Sequence, residues 1–132
     1  MSNEERTAQA MSHYIEGIKA FGAGDHAAAV EHYDRALEID PDNTEVLNAK
    51  SMSLMNLERF DEAIAVGQRV VELDPDDAMI HTSLSIIYQR MGKIDEAEAE
   101  AAHHRLKSWR QELKRNPGAP PPPEAGGINV IQ

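Results

Sequence analysis

The chain has 132 residues, of which 41% are apolar and 27% are charged, a composition typical of a globular protein. It contains no cysteine, which excludes disulfides, thiol nucleophiles and cysteine-ligated metal sites. Thirteen basic and twenty-three acidic residues give a net charge of −10, which argues against nucleic-acid binding because that function requires a basic surface.

The sequence also lacks the usual signs of a membrane or exported protein. No apolar run approaches the roughly 18 residues expected of a membrane-spanning helix. The first residues are polar and acidic, unlike a signal or transit peptide. We therefore expect a cytoplasmic protein that does not insert into a membrane.

A repeat with a period of 34 residues organises most of the chain. Its markers are three alanines and two prolines at this interval: Ala29, Ala63, Ala97, Pro41 and Pro75. The prolines close two related phrases, Leu-Glu-Ile-Asp-Pro and Val-Glu-Leu-Asp-Pro. Apolar residues recur at helical spacing within each unit, so each unit is predicted to be a pair of helices joined by a short turn.

In chain order, the pattern predicts helices at 3–22, 26–39, 44–57, 60–73, 78–91 and 94–115. Ser2 and Glu5 have the spacing of a capping box at the start of the first helix. Asp61 and Asp95 are predicted to cap the fourth and sixth helices, because a short carboxylate can accept a hydrogen bond from a free N–H group. Small residues are predicted where paired helices approach closely: Gly17, Ser51 and Ser85, facing Ala29, Ala63 and Ala97.

The period, the small–Ala–Pro framework and the Glu-x-Asp-Pro phrase resemble the tetratricopeptide repeat (TPR) family. The resemblance covers three repeats, at 10–43, 44–77 and 78–111. It implies an all-α fold, a right-handed α-α superhelix (TPR solenoid) of three helical hairpins with an extended last helix. Residues 1–115 would then form the TPR domain. The sequence departs from the family pattern at Gly67, and at Trp109, which replaces the closing proline of the third repeat.

Residues 116–132 form a Pro/Gly-rich segment that ends the last helix. Its composition predicts a disordered, flexible C-terminal tail. The apolar residues at 128–131 are unusual in such a tail. Two alternatives remain open for them: they are a short peptide that binds another protein, or a peptide that folds back onto the groove of the repeats.

The TPR resemblance also implies which residues line the concave groove of the repeats. These are Met11, Tyr14, Ile18, Phe21, Gly22, Glu45, Asn48, Met52, Met55, Asn56, Met79, Thr82, Ile86, Gln89 and Arg90. A surface rich in methionine adapts to apolar ligands of different shapes. The clamp with which some family members bind acidic chaperone tails is absent, because its positions hold Tyr14, Ile18, Met79 and Ser83.

A second candidate surface lies near the end of the last helix. Leu106, Trp109 and Leu113 are spaced three and four residues apart, so they share one helix face. This stripe either caps the open end of the repeats or is an interface with a partner or a second copy of the chain.

No residue pattern indicates catalysis or a cofactor. There is no glycine-rich phosphate loop, and the carboxylates are expected on solvated helix faces. His103 and His104 point about 100° apart on a helix, and a Glu100–His104 metal pair is set aside because two ligands rarely make a site. His81 and His13 occupy equivalent repeat positions, which favours packing. We therefore predict no enzyme, no cofactor and no metal site.

The sequence thus predicts a non-enzymatic protein–protein interaction module, an adaptor or assembly factor that binds an apolar or amphipathic peptide in its groove. Two alternatives remain open. One is a structural scaffold protein that self-assembles, as a homo-oligomer, through its last helix or its tail. The other is an accessory subunit of an enzyme or secretion complex.

Overall fold

The computed structural model describes residues 2–123, which contain six α-helices and no strand. The helices are α1 (Asn3–Gly22), α2 (His26–Ile39), α3 (Thr44–Asn56), α4 (Phe60–Leu73), α5 (Ala78–Arg90) and α6 (Ile94–Arg115). Each boundary lies within one residue of the predicted one, so the all-α prediction is confirmed. No helix in this described part of the chain is both long enough and apolar enough to cross a bilayer.

Helix starts agree only in part with the predicted caps. The Ser2 Oγ accepts a hydrogen bond from the Glu5 N–H at 3.1 Å, as the capping-box spacing predicts. Three caps that the sequence analysis did not single out are Asp25, Asn43 and Asp77, whose side chains accept from the first turns of α2, α3 and α5.

The predicted caps at Asp61 and Asp95 are wrong. The cap positions are Arg59 and Lys93, and neither makes a side-chain capping bond. Both helices begin where they were predicted to begin, so each aspartate lies two residues after the cap position, in the first turn. Their negative charges there still favour the positive end of the helix dipole.

The chain forms two compact units, Met1–Pro75 and Asp76–Gln132. In the first unit, α1 packs on α2, α2 on α3, and α3 on α4, while α1 also touches α3. In the second unit, α5 packs on α6. Each consecutive pair, α1 with α2, α3 with α4 and α5 with α6, is one helical hairpin.

The first hairpin is held closely together at Gly17 on α1. The Tyr33 ring of α2 is fully buried and lies directly over this glycine. A Cβ atom added at Gly17 would lie 2.3 Å from the Tyr33 Cε1 atom, far inside van der Waals contact. The hairpin can therefore bury an aromatic ring only because α1 has no side chain here.

Serine takes the equivalent position in the other two hairpins. The Ser51 hydroxyl donates to the Ala63 carbonyl at 3.0 Å, and the Ser85 hydroxyl donates to the Ala97 carbonyl at 2.8 Å. Both bonds are buried and join the two helices of a hairpin. The predicted close approach at small residues is confirmed, and the serines add a hydrogen bond to it.

A left-handed residue turns the chain within each hairpin. Gly24 has φ of 79° and Gly92 has φ of 78°, whereas Glu58 adopts φ of 61° at the equivalent position between α3 and α4. An L-residue with a side chain is strained in this region, because its Cβ approaches the following carbonyl.

The start of the predicted tail is in contact with α6. The Trp109 Nε1–H donates to the Ala119 carbonyl at 3.1 Å, and Ala119 is 9% exposed. The Asn116 side chain accepts from the Gly118 N–H at 3.2 Å. The apolar segment at 128–131 lies outside the described residues.

We expect Gly17→Ala to lower the free energy of unfolding by about 1–3 kcal/mol, the usual cost of overpacking, because Tyr33 must move. Gly22→Ala is the matched control in the same helix, since its Cβ meets no atom within 4 Å. The control should be neutral or stabilising by up to about 1 kcal/mol. Urea denaturation followed by circular dichroism measures both. Equal stability of the two variants would contradict the packing argument.

Replacing Glu58 with glycine should stabilise the protein by up to about 1 kcal/mol, because it removes the strained Cβ at some cost in unfolded-state entropy. Gly92→Ala makes the opposite change at the equivalent turn and should be destabilising by a similar amount. Thermal denaturation of both variants checks the sign of each effect. A less stable Glu58→Gly variant would show that the turn does not strain this residue.

Candidate functional site

The most apolar exposed surface of the first unit is one face of α1. We call it the α1 stripe, and it consists of Met11, Tyr14, Ile15, Ile18 and Phe21. At 100° per residue these side chains fall within an arc of about 120°. Four of the seven exposed large hydrophobic residues in the described part of the chain belong to it, with exposures between 38% and 46%.

The packing of α1 explains why this face stays open. Ala10 and Gly17, the buried residues of α1, lie beside the stripe on the helix surface, where α1 packs against the rest of the first unit. Their small size brings the helices together while the larger side chains of the stripe project elsewhere. Ile15 belongs to the stripe although the family resemblance did not include it, and its spacing from Met11 and Ile18 was the signal that could have found it.

Tyr14 connects the stripe to α3. Its hydroxyl donates to the Glu45 carboxylate at 3.4 Å. The centroid of its ring lies 6.0 Å from the centroid of the Tyr33 ring. Burial raises the pKa of the Tyr14 phenol above its ordinary value, and the negative Glu45 raises it further. Burial, followed by the neighbouring Tyr14, also raises the pKa of Tyr33. Tyr14 therefore stays neutral and can offer an apolar ring at the edge of the stripe.

The groove residues predicted on α3 lie deeper than those on α1. Asn48, Met52 and Asn56 are half-buried, and the Asn56 amide donates to the Met52 carbonyl at 3.0 Å. Met55 is only 5% exposed, so it lies deeper than the other residues predicted for the groove on α3.

In the second unit, the predicted groove residues share the exposed side of α5. They are Met79, Thr82, Ile86, Gln89 and Arg90. Met79 is the most exposed large hydrophobic residue described, at 74%, and Ile86 is 36% exposed. This face is more polar than the α1 stripe, since it alternates apolar, amide and charged side chains.

The second candidate interface is partly covered by the chain itself. Leu106, Trp109 and Leu113 are all half-buried. Trp109 borders a cleft of about 440 Å³ whose other walls include His104 and Pro120. Because its indole N–H is bonded to Ala119, part of the Trp109 surface is already occupied.

The histidines are arranged differently from the Glu100–His104 pair considered in the sequence. The His104 Nδ1–H donates to the Ala78 carbonyl at 2.7 Å, away from Glu100. Glu100 instead meets His81 of α5 and His103 of its own helix, and the ligand atoms of the three residues lie within 4.8 Å of one another. A search along one helix misses this group because His81 lies across the hairpin.

The amino-acid sequence matches the tetratricopeptide repeat family model over residues 20–86, about half of the chain. The chain belongs to the tetratricopeptide repeat family. Members of this family are in general protein-interaction modules and not catalysts. No curated protein sequence matches the chain.

Several solved structures share this TPR fold. The second TPR of Spaghetti (RPAP3), bound to the HSP90 peptide SRMEEVD, has a TM-score of 0.70 and 20% identity, and the match covers 79% of this chain and 96% of that one. A MamA mutant has a TM-score of 0.68 and 24% identity over 74% of this chain and 72% of that one. A mutant of the Thermobaculum terrenum O-GlcNAc transferase has a TM-score of 0.72 and 23% identity, over 89% of this chain but 21% of the transferase. These likenesses confirm the fold.

The contact between Tyr14 and Glu45 predicts how the stability of the protein depends on pH. Because the pKa of Tyr14 is raised above the unfolded value of about 10, its contribution to stability is complete below pH of about 10 and is lost as pH rises through the raised value. Glu45→Gln should lower the pKa of Tyr14 without returning it to the ordinary value, because burial is the larger cause. Nuclear magnetic resonance titration of the tyrosine rings measures this shift.

Asp61→Asn is the control for that titration, since Asp61 is an exposed carboxylate in the first turn of α4. It should leave the Tyr14 titration unchanged. A wild-type Tyr14 that titrates at or below the ordinary value would contradict the burial of its hydroxyl.

Proposed function

We propose that this TPR protein is a non-enzymatic interaction module whose first unit binds an apolar, positively charged peptide segment of a partner protein. The α1 stripe is the observation that carries the proposal. It presents Met11, Ile15, Ile18 and Phe21 at 38–46% exposure on a single helix face. Large apolar side chains grouped in this way typically mark a protein-interaction surface.

The charge of the first unit selects the kind of peptide. Met1–Pro75 contains six Lys or Arg residues and fifteen Asp or Glu residues, a net charge of −9. An acidic surface around an apolar stripe repels acidic peptides and attracts basic ones. We therefore infer a partner segment in which apolar residues alternate with lysine or arginine.

This ligand differs from the acidic peptide bound by the RPAP3 domain. In this chain Tyr14 and Ile18 occupy two positions at which the family resemblance would place a charged or amide clamp. Ile18 is 44% exposed and has no polar group with which to hold a carboxylate. Both side chains instead provide apolar contact area. This supports a peptide that is recognised through burial of its apolar side chains and not through a clamp of charged residues.

The proposal is tested with two synthetic amphipathic helical peptides, one of leucine and lysine and one of leucine and glutamate. Fluorescence anisotropy of each labelled peptide with the full chain gives its dissociation constant. We expect the lysine peptide to bind at least tenfold more tightly than the glutamate peptide. Ile18→Glu should weaken its binding by at least tenfold, because burial of an isoleucine side chain is worth about 1.5–3 kcal/mol.

Ile94→Glu is the matched control, since it makes the same change at an isoleucine of the second unit that is 54% exposed. It adds the same negative charge and should leave lysine-peptide binding nearly unchanged. Equal losses in the Ile18 and Ile94 variants would show only general charge attraction and would overturn the assignment of the stripe. Equal binding of the two peptides would overturn the inferred ligand chemistry.

A further inference from the structure

Three side chains with metal-binding atoms meet between α5 and α6 in the second unit. His81 lies on α5, and Glu100 and His103 lie one turn apart on α6. Their ligand atoms are all within 4.8 Å of one another. We propose that His81, Glu100 and His103 bind one divalent transition-metal ion, Zn²⁺ in particular, with water as the fourth ligand.

The burial of His81 is the first reason. His81 is 5% exposed, and its Nε2 atom is buried without a hydrogen-bond partner among the described residues. Its Nδ1 atom lies 2.6 Å from the Glu100 Oε2 atom, and the Glu100 side chain is 22% exposed. At this distance the His81 Nδ1–H donates a hydrogen bond to the Glu100 carboxylate, and a bound metal ion would take the place of that proton.

The repeat itself supplies the second reason, because the fold does not require these residues. One period earlier, Leu47 and Val66 occupy the positions of His81 and Glu100. Both of these residues are apolar, and Leu47 is 7% exposed. An apolar pair avoids the desolvation cost of polar side chains. A hairpin of this kind therefore forms without a histidine and a glutamate at these positions, which leaves both side chains available as ligands.

His103 completes the set from the exposed side. Its ring meets that of His81 edge to face, with centroids 5.6 Å apart. Four ligands at about 2.0–2.1 Å from a tetrahedral Zn²⁺ lie about 3.3 Å from one another. Ligand atoms that lie as far apart as 4.8 Å must therefore draw together by up to about 1.5 Å, which rotation of the exposed His103 side chain can supply. The His81 Nδ1 and Glu100 Oε2 atoms, 2.6 Å apart, must separate by about 0.7 Å.

The donor atoms favour zinc over the common hard cations. Two imidazoles and one carboxylate suit Zn²⁺ and its neighbours in the transition series, whereas Mg²⁺ and Ca²⁺ prefer oxygen ligands alone. A cleft of about 330 Å³ lined by His103, Leu106, Lys107 and Arg110 provides a path for the ion. Since two of these residues are cationic, the affinity must come from the ligand atoms and not from surface charge.

The test begins with the full chain after removal of metals by a chelator. Isothermal titration with Zn²⁺ should show one equivalent bound at micromolar or tighter affinity, and Mg²⁺ should give no binding under the same conditions. Co²⁺ should give the intense visible bands of a tetrahedral site. Absence of Zn²⁺ binding, or binding of several equivalents of similar weak affinity, would overturn the proposal.

The repeat offers variants that are compatible with the fold. His81→Leu, Glu100→Val and His103→Arg each introduce the residue found one period earlier, at Leu47, Val66 and Arg69. Each should weaken Zn²⁺ binding by more than the about 10–100-fold that follows loss of an outer-shell partner. The last two variants keep the test decisive if the His81 variant does not fold, which circular dichroism will show.

His104→Asn is the matched control, because His104 is the adjacent histidine on α6 and its Nδ1–H bonds to the Ala78 carbonyl, a bond that the asparagine amide can also donate. It should leave the Zn²⁺ affinity and the Co²⁺ spectrum unchanged. A loss in the control equal to that in the His103 variant would mean that the ion is held by other histidines. The same affinity in the His81/Glu100/His103 triple variant would overturn the site.

Discussion

The close approach of the two helices within each hairpin is the constraint on which the rest of the structure depends. In the first hairpin the approach requires Gly17, because the Tyr33 ring lies where a Cβ atom would be. In the other two, Ser51 and Ser85 donate buried hydrogen bonds to alanine carbonyls of the facing helix. Small residues here bring two backbones together, and the core of each hairpin then follows from ordinary apolar burial.

This way of closing a hairpin leaves other faces of its first helix free to serve binding. The buried face of α1 consists of the small residues Ala10 and Gly17. The large apolar side chains of α1 lie on the neighbouring exposed face, where they form the α1 stripe. The net negative charge of the first unit favours the basic peptide segment that we propose as the ligand of the stripe. Affinity in such a surface comes mainly from apolar burial, while the charge excludes unsuitable partners and speeds the approach of suitable ones.

A repeated scaffold also separates residues that the fold needs from residues that it tolerates. The positions of His81 and Glu100 hold an apolar pair one period earlier, and both hairpins form. The buried hydrogen bond that joins the two helices of this hairpin is made elsewhere, from the Ser85 hydroxyl to the Ala97 carbonyl. Metal-binding side chains can therefore occupy such positions without altering the hairpin, as we propose for His81 and Glu100 in the second unit.

The sequence by itself determined the six helices, their boundaries and the 34-residue repeat, because these depend on local periodicity, on Pro and Gly, and on small residues at fixed intervals. Through the family pattern it predicted the exposed large apolar residues of α1 and α5 except Ile15. Only the tertiary structure decided that Met55 is buried, that Trp109 contacts Ala119, and that His81 meets Glu100. Periodicity gives the direction of a side chain around its helix, but its depth and its partners depend on how neighbouring helices pack.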